Sequence, residues 1–277
     1  MHPRISFFLL FSLILLLISC EQSDPEIRGR VDNVIDFSGF KWDIKYGDQL
    51  QGPGPNYFTN DQDAVWLDEN GFLHLSYTLR NGQWRATEVV SQDTFAYGTY
   101  IFTVQGDLVN IPENLVLGLF TWNNNSFASQ ANSEVDIEFA KWNNDTTDQT
   151  LHFSVQPVNF GPYYPERSHN PILNDVNDLI GISTHIFTWT DSLISWASFA
   201  GEGYLNKTAI ATWSYDLNNP ARVKNENGNS SAPIIIPAPE NHTNARINYW
   251  VLNGAFSSPA DEQEHEVIIR SFDFIPL

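Results

Sequence analysis

The segment Ser133-Glu134-Val135-Asp136-Ile137-Glu138-Phe139 constrains this chain more than any other. Its acids alternate with Val135, Ile137 and Phe139, and a period of two belongs to a β-strand. One face then packs into a core, and the other carries Glu134, Asp136 and Glu138 together. Three carboxylates in a row repel and raise one another's affinity for protons. An ordinary surface strand would intersperse cations, and the nearest here in sequence is Lys141. The pattern therefore suits three settings: paired catalytic acids, a rim for a hard cation such as calcium, or a solvated acidic strand.

The spacing says what chemistry such a pair could do. On a regular strand the Cα atoms of Glu134 and Glu138 stand roughly 13 Å apart, from a rise of about 3.3 Å per residue. Two Glu side chains leaning together over a concave sheet can bring their carboxyls to about 5–5.5 Å, the separation of a retaining glycosidase. One Glu would attack the anomeric carbon and the other would protonate the leaving oxygen. Asp136 between them would hydrogen-bond the attacking group and keep the titrations apart.

The rest of the chain reads as scaffold for that strand. Aromatic residues make up 14% of the sequence and charged residues only 17%, with turn signals throughout, which fits one large all-β sandwich over 31–277. Asn70-Gly71, Asn81-Gly82 and Asn227-Gly228 mark turns of hairpin type. Leu73, Leu75, Tyr77 and Leu79 alternate with His74, Ser76 and Thr78 between two of them. Further period-two strands are predicted at 98–105, 115–122, 134–142, 150–157, 185–190, 193–199, 245–251 and 266–275. No amphipathic helix, heptad or internal repeat stands out.

Residues 1–20 read as a targeting segment. Arg4 precedes an apolar run from Ile5 to Ile18 broken by Ser6 and Ser12, and Leu17-Ile18-Ser19-Cys20 has the form of a bacterial lipobox. The other readings are an ordinary signal peptide or an anchor helix of minimal spanning length. The chain has a single cysteine, and it falls at the acceptor position, which favours lipidation of Cys20 and leaves none for a disulfide or a catalytic thiol. Acyl chains there would anchor the domain to the cell envelope, periplasmic or at the surface. Residues 21–30 would form a short acidic tether. A net charge of −19 argues against nucleic acid and anionic membrane surfaces as partners. No His or Cys spacing suggests zinc.

Glu134-Val135-Asp136-Ile137-Glu138-Phe139 resembles the E-x-D-x-E-F signature of glycoside hydrolase family 16. Other segments resemble that family in order: Glu88-Val89-Val90-Ser91, Phe95 to Tyr100, Leu115 to Trp122, His185 to Trp189, Ile194-Ser195-Trp196 and Asn248-Tyr249-Trp250. The resemblance implies a concanavalin A-like β-jelly-roll of two antiparallel sheets with a concave substrate cleft. It implies a monomeric retaining endo-glycosidase on an extracellular β-linked polysaccharide, with Glu134 as nucleophile, Asp136 as its partner and Glu138 as general acid and base. Glu138 should then hold its proton more tightly than Glu134 in the free enzyme. The regular strand, without an extra residue between Asp136 and Glu138, tilts the substrate toward a β-glucan. Transglycosylation would use the same residues, and a non-catalytic glycan-binding lipoprotein is the reading from another class. The resemblance calls for no cofactor. A structural calcium is common in relatives, but the sequence carries no self-contained loop for it.

Several residues are candidates for sugar contact. By parity Trp142 shares the acidic face, where an indole would stack on a sugar; otherwise it caps the sandwich edge. Trp122 and Trp250 match aromatic positions of the family, with core packing as the alternative for Trp122. His152 and Gln156 lie on a strand whose polar residues, in the family, bond sugar hydroxyls; a solvated polar face is the plainer reading. Asn56, in Gly52-Pro53-Gly54-Pro55-Asn56, matches a loop residue at the closed end of the cleft, or serves the turn itself. His185 reads more readily as a buried structural histidine. Two departures are visible: Val90 where the family usually has Arg, and Ser133 where glucanases often carry an aromatic or an acid.

Overall fold

The structure, a computed structural model, describes residues 32–158, 167–218, 221–224, 230–254 and 257–277. The expected signal peptide at 1–20, its acceptor Cys20, the tether at 21–30 and the turn at Asn227-Gly228 lie outside the described residues. The chain opens with β1 (Val34–Phe37), β2 (Phe40–Ile44), β3 (Gly47–Gln51), β4 (Asn56–Phe58), β5 (Val65–Leu67), β6 (Leu73–Arg80), β7 (Gln83–Arg85) and β8 (Thr87–Ser91). There follow β9 (Gly98–Asp107), β10 (Leu115–Trp122), β11 (Val135–Ala140), β12 (Leu151–Val155) and β13 (Ser168–His169). It closes with β14 (Ile180–Trp189), β15 (Leu193–Ala200), β16 (Ala211–Asp216), β17 (Ala221–Lys224), β18 (Ser230–Ile234), β19 (Asn244–Val251) and β20 (His265–Pro276).

Most of these strands make two large antiparallel sheets, as the alternation predicts, while β3 with β4 and β17 with β18 form separate two-stranded ribbons. The cleft sheet runs β1-β2-β8-β19-β10-β11-β12-β13, and the back sheet runs β16-β15-β14-β9-β20-β6-β5, with β7 paired to β6. Neighbours distant in sequence, such as β8 and β19, are what a jelly roll requires and a simple meander does not. The turn at Asn81-Gly82 has φ of 51° and 74° at its two residues, the left-handed pair that a tight two-residue hairpin demands.

The core lies between the sheets. Val135, Ile137 and Phe139 of β11 are fully buried there, each worth about 1.5–3 kcal/mol against exposure. They meet back-sheet aromatics, including Tyr100, Phe102, Phe187, Trp196 and Phe272. Trp196 also donates from its Nε1 to the main-chain oxygen of Asp136 at 3.0 Å, tying the back sheet to the acidic strand. His185 is buried between the hydroxyls of Ser183 and Ser198, each at 2.8 Å, with its ring edge-on to Phe139. Burial depresses its pKa to about 3, so it is a neutral core residue.

One strand ends earlier than alternation predicts. β11 stops at Ala140, and Trp142 and Asn143 adopt φ of 52° and 63° in the turn that follows. Parity does not pass through such a turn, so the strand expected at 134–142 does not by itself place Trp142.

Candidate active site

Glu134 is delivered to the cleft by a strained turn. Ala131, Asn132 and Ser133 have φ of 48°, 61° and 53°, and each non-glycine residue held there costs on the order of 1–2 kcal/mol. Buried hydrogen bonds hold this conformation. Asn132 Nδ2 donates to the Asn123 carbonyl at 2.9 Å, and Ser133 Oγ donates to the Ala238 carbonyl at 2.9 Å. Thr121 Oγ1 donates to the Ser133 carbonyl at 2.8 Å and accepts from the Val135 amide at 3.1 Å. Ser133 is therefore a fully buried brace for the turn. A larger side chain would displace it.

The strand register then fixes what stands beside each acid. One cross-strand row reads Glu88, Asn248, Gly118, Glu138, His152 on β8, β19, β10, β11 and β12. The next reads Val90, Arg246, Phe120, Asp136, Ser154. Gly118 is required by the first row, because a Cβ there would come within 2.5 Å of Asn248 Oδ1. A cleft of about 620 Å³ opens over these rows, lined by all three acids together with Glu88, Arg246, Asn248, Trp122 and Trp250. Lys45, Gln51 at the end of β3, and the loop residues Gly52 and Pro53 also line it.

The two sides of the cleft differ electrically. Glu88 is buried and accepts from Lys45 Nζ at 2.9 Å and Arg246 Nη1 at 3.1 Å. Arg246 also bonds Asn244 at 3.0 Å and Asn124 at 3.2 Å, and its guanidinium lies 5.6 Å from the Trp122 ring. Asp136, by contrast, is held by neutral donors, Ser154 Oγ at 2.7 Å and Gln156 Nε2 at 3.4 Å. Burial raises its pKa to about 6 against those bonds. Burial and the neighbouring Asp136 raise Glu138 to about 8. Glu134 is raised well above the ordinary range by burial, Asp136 and Glu138, with Arg246 opposing. Both outer acids thus hold their protons more tightly than an ordinary carboxylate in the free protein. Glu134 and Asp136 share a hydrogen bond and titrate as a pair.

The structure disperses the other predicted contacts. Trp122 lines the cleft, with its Nε1 donating to Asn124 Oδ1 at 2.8 Å. Trp250 also lines it, packed against Gly54 so closely that a Cβ there would meet the ring at 2.5 Å. Trp142 is 40% exposed beside it, 6.5 Å from Trp250 and 5.9 Å from His152 between ring centres. His152 neighbours Glu138, but its Nε2 is bonded to the Ala140 carbonyl at 3.0 Å, and burial lowers its pKa. Gln156 holds Asp136 and accepts from the Val158 amide, so its side chain is already committed within the protein. Asn56 needs a correction: it is 1% exposed, and its Nδ2 donates to the Pro53 and Val251 carbonyls at 2.8 and 3.0 Å. It anchors the Pro/Gly loop against β19 and does not reach the cleft. Among the described residues no group of three or more His, Cys, Asp or Glu is placed to hold a metal ion.

Four residues of the site were not singled out as site residues by the sequence. Ser154 was legible, since it alternates on the same polar face as His152 and Gln156. Lys45, Arg246 and Asn248 become neighbours of the acids only through pairings between distant strands. Asn248 Oδ1 is buried with no hydrogen-bond partner among the described residues.

No family model and no curated protein matches the chain. Solved structures do. A Bacillus licheniformis β-glucanase superposes with a TM-score of 0.56 at 17% identity, over 92% of this chain and 97% of its own. A laminarinase from Flavobacterium sp. UMI-01 gives 0.58 at 13% identity, over 84% and 92%. A mutant of SCLam, a non-specific endo-β-1,3(4)-glucanase from family GH16, gives 0.57 at 11% identity, over 84% and 86%; it presents 1,3-β-D-cellobiosyl-glucose at its active site. The chain therefore has the concanavalin A-like jelly-roll fold that these glucanases share.

Proposed function

We propose that the chain is a retaining endo-glycosidase of the family 16 type, acting on an extracellular β-glucan. The observation that carries this is the row of Glu134, Asp136 and Glu138 on the floor of one cleft, with an acid rather than a cation as the charged neighbour of Glu138. The glucanase descriptions of the structural neighbours support the substrate class. Glu138, protonated at neutral pH, gives its proton to the glycosidic oxygen as the bond to the anomeric carbon breaks. A Glu134 oxygen attacks that carbon from the opposite face and forms a glycosyl ester. The proton between Glu134 and Asp136 moves toward Asp136 as positive charge grows on the sugar, which leaves Glu134 anionic when it is needed. In the second half-reaction Glu138, now a carboxylate, takes a proton from water, and the hydroxide oxygen displaces Glu134.

Trp122 and Trp250 bracket the acids along the strand direction and offer apolar walls to successive sugar rings. The sequence further supports placing the domain outside the cytoplasm, anchored through a lipidated Cys20. Incubation with lichenan, laminarin, agarose and carrageenan tests the reading. New reducing ends from lichenan or laminarin are expected, with a loss of about 10²–10⁴-fold in Glu138→Gln and at least as much in Glu134→Gln. Binding without product would make the domain a glycan-binding module, and wild-type turnover in either variant would remove the mechanism.

A further inference from the structure

Arg246 is a cation in the cleft that Glu134 also lines. The cross-strand row places it between Val90 and Phe120, so neither immediate neighbour bonds its guanidinium. It reaches along the sheet instead. Its Nε donates to Asn244 Oδ1 at 3.0 Å, Nη1 to Glu88 Oε1 at 3.1 Å and Nη2 to Asn124 Oδ1 at 3.2 Å. These three bonds, each from a different nitrogen, fix both the position and the plane of the fork. Arg carries five N–H donors, so two remain beyond these bonds, and Arg246 lines the same cleft as Glu134. Its side chain is only 11% exposed, which weakens solvent screening of its charge.

The surrounding charges leave that role to Arg246. On its own strand Glu134 meets Asp136 and Glu138, both acidic. From β12 come Ser154 and the neutral His152, from just past its end Gln156, and from β10 Phe120 and Trp122. Asp43 on β2 also lines the cleft, while Lys45 is drawn to Glu88 and to the Gly52 carbonyl. Lys45, Glu88 and Arg246 together carry one net positive charge, opposite in sign to the acid row.

We infer that Arg246, anchored by Glu88, Asn124 and Asn244, is a positioning residue that holds a fixed positive charge in the cleft and favours the carboxylate form of Glu134 as its proton passes to Asp136 for attack. The inference rests on Glu134 being the nucleophile. The opposition of Arg246 to proton uptake by Glu134 agrees with it.

Carbon-13 titration of the Glu134 carboxyl, assigned with Glu134→Gln, tests this in the resting protein without any substrate. Arg246→Gln should move that titration up by about one pH unit, and Arg246→Lys should move it less than half as far. On a cleaved glucan, Arg246→Gln should lower kcat by about 10–100-fold, leave KM within about threefold, and shift the acid limb of kcat/KM with the titration. An unchanged Glu134 titration in Arg246→Gln would overturn the inference, as would a rise in KM with kcat intact, which would make Arg246 a sugar-binding residue. If the wild type cleaves no glucan, the functional reading fails on that result alone, and the carboxyl titration still decides whether Arg246 opposes proton uptake by Glu134. Thermal melts of both variants establish that they fold.

Discussion

Glu88 and Glu138 stand on one cross-strand row of one sheet, with Asn248 and Gly118 between them. Both line the same cleft, yet they are different chemical objects. Glu88 accepts from two cations at 2.9 and 3.1 Å and is a strut between Lys45 and Arg246. Glu138 has an acid for its charged neighbour, and its pKa rises to about 8. A buried carboxylate with cations is an anchor, and one without them is a proton donor. Position in the groove does not separate the two residues; their partners do.

The sharpest way to break this contrast is to neutralise each residue in turn. Glu138→Gln should cost about 10²–10⁴-fold in kcat/KM and yet stabilise the fold in alkali. The folded pKa of Glu138 lies above the ordinary value of 4.5, so its contribution is present in full below that value and is lost as pH rises toward about 8. At pH 9 the variant should melt a few degrees above wild type, from about 1–3 kcal/mol. Glu88→Gln should do the reverse, lowering stability by about 3 kcal/mol because two half-buried cations lose the buried carboxylate they share. Melting points that shift in the same direction would erase the distinction.

A second test sharpens the contrast on the acid row itself. kcat/KM should fall below about pH 6, as the Glu134–Asp136 pair gains its second proton, and above about pH 8, as Glu138 loses its proton. Ser154→Ala removes the 2.7 Å bond that favours ionised Asp136. It should move the acid limb up by about 0.5–1 pH unit and leave the alkaline limb in place. Movement of both limbs would mean that the three acids titrate as one unit.

The smallest effect is expected at Asn56, which belongs with Glu88 on the structural side. Asn56→Ala removes two buried bonds to the Pro53 and Val251 carbonyls and should lower stability by about 1–3 kcal/mol. Its kcat should stay within about twofold of wild type. A large fall in kcat at unchanged KM would return Asn56 to the cleft.

These contrasts show which parts of the molecule can be read from sequence. The acid row was legible because alternation is local: Val135, Ile137 and Phe139 had to go inward, so the acids had to share the other face. Trp142 escaped that logic when the backbone turned at Ala140, since parity is a property of strands alone. Asn56 escaped it because an Asn on a loop bonds backbone or ligand with the same amide, and only the surrounding carbonyls decide. The segment holding Glu88 could be matched to the family, but not the cations that hold its carboxylate. The register sets Arg246 of β19 directly across from Val90 of β8, a pairing between positions 156 residues apart that no local pattern encodes. Ser133 is understood from the left-handed turn it braces, a conformation that neither propensity nor spacing announces.

Double displacement requires Glu134 and Glu138 to act on opposite faces of one glycosidic bond, and the stereochemistry of the product reports on it directly. Proton NMR of a lichenan or laminarin digest, recorded before mutarotation, reads the configuration of the first reducing end formed. Two successive inversions predict the β-anomer. A first-formed α-anomer would mean a single inversion and would contradict a nucleophilic Glu134.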